Sequence, residues 1–102
     1  MISLSTTHIY TMYPITKYTR QKAKKYGVSV RPSTLKHKKI DVFRKGHKIS
    51  SVGYLGMSDY PTYLRTRGKR YADGRRKLYY QRHSNDGKVK GTNGWWAKHL
   101  LW

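Results

Sequence analysis

The chain contains no cysteine and no glutamate, and its only acidic residues are Asp41, Asp59, Asp73 and Asp86. Without thiols there can be no disulfide, no thiolate metal ligand and no cysteine nucleophile. Four scattered carboxylates leave few opportunities for a paired general acid and base. Long apolar runs are missing as well. Nothing approaches the roughly 18–20 consecutive apolar residues of a membrane span, so no transmembrane segment is expected. The first fifteen residues lack the basic start and continuous apolar stretch of a secretory signal. These absences point to a soluble, non-enzymatic protein with no cofactor.

The positive side of the composition is one-sided. Against four acids stand 23 lysines and arginines, a formal net charge of +19 on 102 residues. Such a charge repels itself and fits a polyanion or an acidic protein surface as partner. Ten tyrosines, three tryptophans and one phenylalanine separate the chain from disordered basic tails, which are poor in aromatics. The length allows one small domain with a thin core.

Residues 1–14 carry no lysine or arginine, whereas nearly everything after them is basic. The shift predicts an N-terminal arm over residues 1–15 ahead of a basic domain spanning 16–102. From Thr16, a fair N-cap, apolar residues recur at helical spacing through Ala23 and Tyr26, and Gly27 suits the left-handed position that ends a helix. Residues 27–30 alternate like a short strand, and residues 32–39 read as a polar, basic loop.

The clearest local signal lies at Lys45-Gly46, flanked on both sides by β-type runs, which predicts a hairpin. Counting outward from a two-residue turn sets Val42 opposite Ile49 and Ile40 opposite Ser51. Ser58 or Asp59 then caps a helix with Pro61 in its first turn. A further helix covers 69–83, and a short terminal one begins at Gly94. The expected fold class is α+β: a single small domain, a hairpin plus a third short strand, covered by three or four helices. Its core is assigned to Val42, Ile49, Tyr63, Leu78, Trp95, Leu100 and Trp102.

For polyanion or acidic-partner contact the candidates are Lys36, Lys38 and Lys39 in the loop, with Arg67, Lys69, Arg70, Arg75, Arg76, Lys77 and Arg82 along the helices. Arginines a few residues apart on a helix can reach successive phosphates and donate paired hydrogen bonds to them. A charge run is usually a solvated face, but here no glutamates exist to form i,i+4 pairs. The tryptophans could stack on bases, yet their recurrence on one apolar helix favours packing. The run His83-Ser84-Asn85-Asp86 invites a metal or nuclease reading. It lacks the three or four converging ligands a metal site needs, so a helix end and turn explains it better. Neither catalytic nor metal residues are assigned.

Laid end to end, the stretches YTRQKAKKYGVSVRPS (18–33), KKIDVFRKGHKISSVG (38–53), DYPTYLRTRGKRYADGRRKLYYQRH (59–83) and KGTNGWWAKHLLW (90–102) cover most of the chain. In this order the sequence resembles the small, lysine-rich proteins of unknown function encoded by large nucleocytoplasmic DNA viruses, such as algal phycodnaviruses and their giant relatives. DYPTY and the terminal LLW are the most distinctive pieces. Gly74 departs from the pattern, standing where a charged helix former is expected, and the 1–15 arm falls outside it. The resemblance implies a virion-associated basic protein, located in the particle and in the host cell during assembly, with no established activity.

Two functions follow as expectations. One is a virion structural protein, a minor capsid or cementing component that bridges larger virion proteins through a basic, Tyr/Trp-rich surface. The other is a sequence-independent DNA-binding protein that neutralises the packaged genome through phosphate contacts. They differ in what the aromatics touch: a cement buries them against a partner, whereas a genome neutraliser keeps most in its own core.

Overall fold

A computed structural model describes residues 13–85 and 88–102. Over these, the order is α1 (Lys17–Lys25), β1 (Ser29–Pro32), β2 (Lys38–Arg44), β3 (His47–Tyr54), α2 (Tyr60–Arg67), α3 (Lys69–Arg82) and α4 (Asn93–Leu101). The three strands form one antiparallel sheet in the order β1-β2-β3. This is an α+β domain with four helices, as the alternation of periods predicted. No helix among the described residues is long and apolar enough to cross a membrane.

Local chemistry starts and stops these elements. The Thr16 hydroxyl accepts from the Thr19 N–H and opens α1, and Gly27 at φ +72° lets the chain leave it. Asp59 does the same for α2, accepting from the Thr62 N–H, and Thr92 for α4. In the hairpin, Lys45 and Gly46 both have positive φ (52° and 81°), the geometry whose twist matches that of the flanking strands.

The hairpin register differs from the expected one. Arg44 pairs with His47 and Phe43 with Lys48, but then Val42 meets Ser50 and Ile40 meets Val52. Two residues of β3 are used against one step of β2, so Ile49 bulges out of the ladder and is 41% exposed. Its assignment to the core is corrected accordingly. The bulge brings Val52 onto the buried side with Ile40 and Val42, and it sets the Ser51 hydroxyl opposite Asp41, to which it donates at 2.6 Å.

One side of the sheet carries Val30, Ile40, Val42 and Val52, all buried. Helix α4 packs on β3 and on α1, burying Trp95, Trp96, Leu100 and Leu101. Each large apolar side chain fully buried there contributes roughly 1.5–3 kcal/mol. The Thr19 hydroxyl donates to the Leu100 carbonyl at 2.9 Å and the Tyr18 hydroxyl to that of Trp102 at 3.0 Å, fastening α1 to α4. Trp102 in turn stacks on Tyr79 of α3 (centroids 4.3 Å apart, 9° between planes), tying the α2–α3 pair to the rest.

The core assignments of Val42, Trp95, Leu100 and Trp102 agree with the structure, and Tyr63 packs half-buried against the cluster. Leu78 does not belong there: it is 46% exposed. The buried line of α3 runs through Ala72 and Tyr79, and a residue adjacent to Tyr79 points about 100° away around the helix. Of the expected N-terminal arm, residues 1–12 lie outside the described residues. Tyr13 is buried and Ile15 packs against the core, so both belong to the domain.

Candidate polyanion-binding surface

With few acids available, the placement of each carboxylate decides which cations remain free. Asp59 is fully buried. It accepts from the Lys39 ammonium at 2.8 Å, from the Tyr13 hydroxyl at 2.6 Å and from the Thr62 N–H at 3.1 Å. Burial and the adjacent carboxylate hold the Tyr13 hydroxyl far above its ordinary pKa. Asp41 accepts from Ser33, Ser51 and the Thr34 N–H, with the Lys48 ammonium 3.8 Å away. Burial raises its pKa, but those hydrogen bonds and the Lys48 charge outweigh it and leave the carboxyl below the usual range. On α3, Asp73 accepts from Lys69 at 2.7 Å and from the Tyr60 hydroxyl at 2.7 Å, with Arg76 at 3.7 Å. The bond from Lys69, and then that from Tyr60, lowers its pKa.

The remaining cations find a different kind of seat. Ten cation–ring contacts stand against four ion pairs among the described residues, so aromatic faces rather than carboxylates are the usual support. The corner where α2 meets α3, turned by Gly68 at φ +88°, concentrates them. Arg76 lies 3.9 Å over Tyr60, Arg67 4.0 Å over Tyr71, and Arg75 5.6 Å over Tyr63. A ring attracts the guanidinium through its quadrupole without cancelling the charge. A guanidinium held over a ring is partly ordered before it donates to an incoming oxyanion. Arg70, Lys77 and Arg82 are exposed on the same helix.

Seven of the sequence candidates lie on α2 and α3: Arg67, Lys69, Arg70, Arg75 and Arg76 at or near the corner, Lys77 further along α3, and Arg82 at its far end, lining a groove with Tyr54 and Trp102. Lys36 is exposed in the turn between β1 and β2, and Lys38, the first residue of β2, lies 5.0 Å over Tyr54. Lys39 is corrected. It lies inside β2 rather than in a loop, is 3% exposed, and is committed to Asp59. Sequence reasoning missed a second cationic area, Arg31, Arg44, Lys45 and Lys48 on and around the hairpin. Its signal was present in the alternation of the strands, where Arg31, Asp41 and Lys48 take the side opposite Val30, Ile40 and Val42. Among the described residues, no group of three or more His, Cys, Asp or Glu is placed to hold a metal ion. The chain matches no protein-family model, no curated protein and no solved structure.

Proposed function

We propose that this chain is a non-enzymatic, sequence-independent nucleic-acid-binding protein that neutralises phosphate through the α2–α3 corner; in the setting implied by the viral resemblance, its ligand is the packaged genome. The observation that carries this reading is the destination of the acids. Asp41, Asp59 and Asp73 are engaged within the fold, and although Arg76 shares Asp73, Arg67 and Arg75 at the same corner rest on tyrosine rings that leave their charge intact. The aromatics favour the same reading over a capsid cement: Tyr60, Tyr79 and all three tryptophans are buried in the chain's own core.

Salt titration of the affinity for DNA tests it. With about six phosphates engaged, log affinity plotted against log salt should fall with a slope near −5. Replacing Arg67, Arg70, Arg75 and Lys77 by Gln should reduce that slope by about one per lost phosphate contact. The equal charge change on α1, at Lys17, Arg20, Lys24 and Lys25, should weaken binding less. Salt-indifferent binding, or equal loss from both sets, would refute the assignment.

The cement reading retains one specific support. Tyr54 and Met57, each 62% exposed, flank a groove of about 180 Å³ whose walls include Ala97, Leu101 and Trp102, with Arg82 and His83 at its side, a largely apolar surface that a larger virion protein could cover. Cross-links from intact particles running from this groove to such a protein, together with absent DNA affinity, would favour it.

A further inference from the structure

Toward the hairpin, the side of the sheet turned away from α4 is open and cationic; its other end is closed where Lys39 is buried on Asp59. Ser29, Arg31 and Lys48 are exposed there, with Phe43 and Ser51 half-buried between them and the Arg31 guanidinium 4.6 Å over the Phe43 ring. The acid of this face, Asp41, is 2% exposed; it accepts from the Ser33 and Ser51 hydroxyls and the Thr34 N–H, and the Lys48 ammonium, 43% exposed, stands 3.8 Å away as an ion pair without a hydrogen bond. At the end of the ribbon Arg44, Lys45, His47 and Lys48 crowd into five exposed residues. Lys45 is also the single non-glycine among the described residues with a positive φ. Asn, Asp or Gly is the usual occupant of that turn position, and a lysine held in a sparsely populated conformation points to a use for its side chain.

From this geometry we infer that the open face of the β2–β3 ribbon, led by the Lys45 tip, lies in the major groove of duplex DNA. The inference rests on the nucleic-acid reading above and deepens it by naming the form of nucleic acid. Paired strands about 4.8 Å apart make a ribbon that a B-form major groove, about 12 Å wide, can admit. The two-residue turn keeps its leading end narrow. Lys45 at the tip and Arg31 and Lys48 on the open face then reach the groove walls and floor, whereas the Arg44 guanidinium lies on the α4 side, 5.8 Å over the Trp96 ring, and the α2–α3 arginines hold phosphate alongside. A-form RNA offers a major groove too deep and narrow for this, and a single strand offers none.

The experiment compares binding to duplex DNA, duplex RNA and single-stranded DNA of one sequence at one salt concentration. The chain should prefer duplex DNA, and at saturation it should protect guanine N7 from methylation. Lys45→Asn should leave the melting temperature unchanged or higher, because Asn suits the turn, while weakening duplex DNA binding. Adding Arg31→Gln and Lys48→Gln, on the same open face, should weaken it about tenfold or more. Single-strand affinity should fall only as much as when three lysines of α1, Lys17, Lys24 and Lys25, are replaced by Gln. Equal or tighter single-strand binding by the unaltered chain, an unprotected N7, or equal loss from the open-face and α1 sets would overturn the inference. Those results would leave the α2–α3 reading standing. Binding that ignores salt, or no binding at all, would instead overturn both.

Discussion

Lys39 and Arg76 carry the same charge and meet opposite fates. Lys39 lies inside the domain with its ammonium on the Asp59 carboxylate and the Tyr13 ring 5.3 Å away. Arg76 lies half-buried at the α2–α3 corner, 3.9 Å over the Tyr60 ring, with Asp73 shared among it, Lys69 and the Tyr60 hydroxyl. Where water is excluded only a full counter-charge suffices, because an unpaired buried ion is too costly. Where water remains, a ring is support enough. A chain with so few acids can therefore afford one deeply buried ion pair and sets several of its other cations, Arg67, Arg75 and Arg76 among them, over tyrosine rings. The tyrosine count follows from that rationing as much as from interface chemistry.

The sharpest break of the comparison is at Asp59. Asp59→Ala should cost about 3–5 kcal/mol by stranding a buried ammonium, enough to unfold much of the population, as urea titration would register. The pair Lys39→Met with Asp59→Asn, which keeps the α2 cap, should recover most of the loss. Asp73→Ala, at the solvated corner, should leave the urea midpoint almost unmoved. Equal losses at the two aspartates would erase the distinction.

Gly53 probes how tightly the Lys39 stem is packed. A Cβ there would meet Lys39 Cδ and Leu101 Cδ1 at 2.9 Å, in a backbone of φ +82°, so Gly53→Ala should destabilise by about 1–3 kcal/mol. Thermal melts would measure it.

Acid should act through the two carboxyls held below their ordinary pKa, Asp41 and Asp73. A carboxyl with a depressed folded pKa contributes fully above about pH 4, and that contribution is lost as pH falls through its folded value. Tyr13 and Tyr60 have raised values, so their contribution is complete below about pH 10 and lost as pH climbs further. Urea midpoints across the pH range should form a plateau with both shoulders. Asp41→Asn should flatten the acid shoulder more than Asp73→Asn, since Asp41 is the buried one.

The smallest effects belong to the corner itself. Gly74→Ala should stabilise by about 1 kcal/mol, because the site is helical and open space surrounds it. Tyr71→Leu should remove the ring beneath Arg67 and cost about 0.5–1 kcal/mol, with a parallel loss of DNA affinity. An unchanged affinity would show that the rings do not order the guanidiniums.

Much of this architecture was readable from single residues. Thr16, Gly27, Asp59 and the Lys45-Gly46 turn act through contacts within a few positions, and each did what its chemistry suggests. The register failed at Ile49 because a bulge is decided across strands, by the competition between Ile49 and Val52 for one buried face. Lys39 looked like its neighbours Lys36 and Lys38, since nothing local announces that an aspartate twenty residues on will neutralise it. Leu78 was assigned inward from helical spacing alone, yet half-buried Arg75 and Arg76, seated on tyrosines, occupy flanks of α3 that a leucine would ordinarily take. The α2–α3 candidates lie on consecutive helices, which keep sequence neighbours close in space.

The bond from Thr19 to the Leu100 carbonyl spans 81 residues and that from Tyr18 to Trp102 spans 84. Contacts this distant require the intervening chain to be closed into a loop before they return any stability, and long-range closure of this kind slows folding. Helix α1, only nine residues long, is too short to persist in isolation and so must wait for α4 to dock. Amide exchange in α1 and α4 should accordingly proceed at one common rate, that of the whole domain opening, whereas the hairpin, closed by its own two-residue turn, can form early and alone exchange by local fraying.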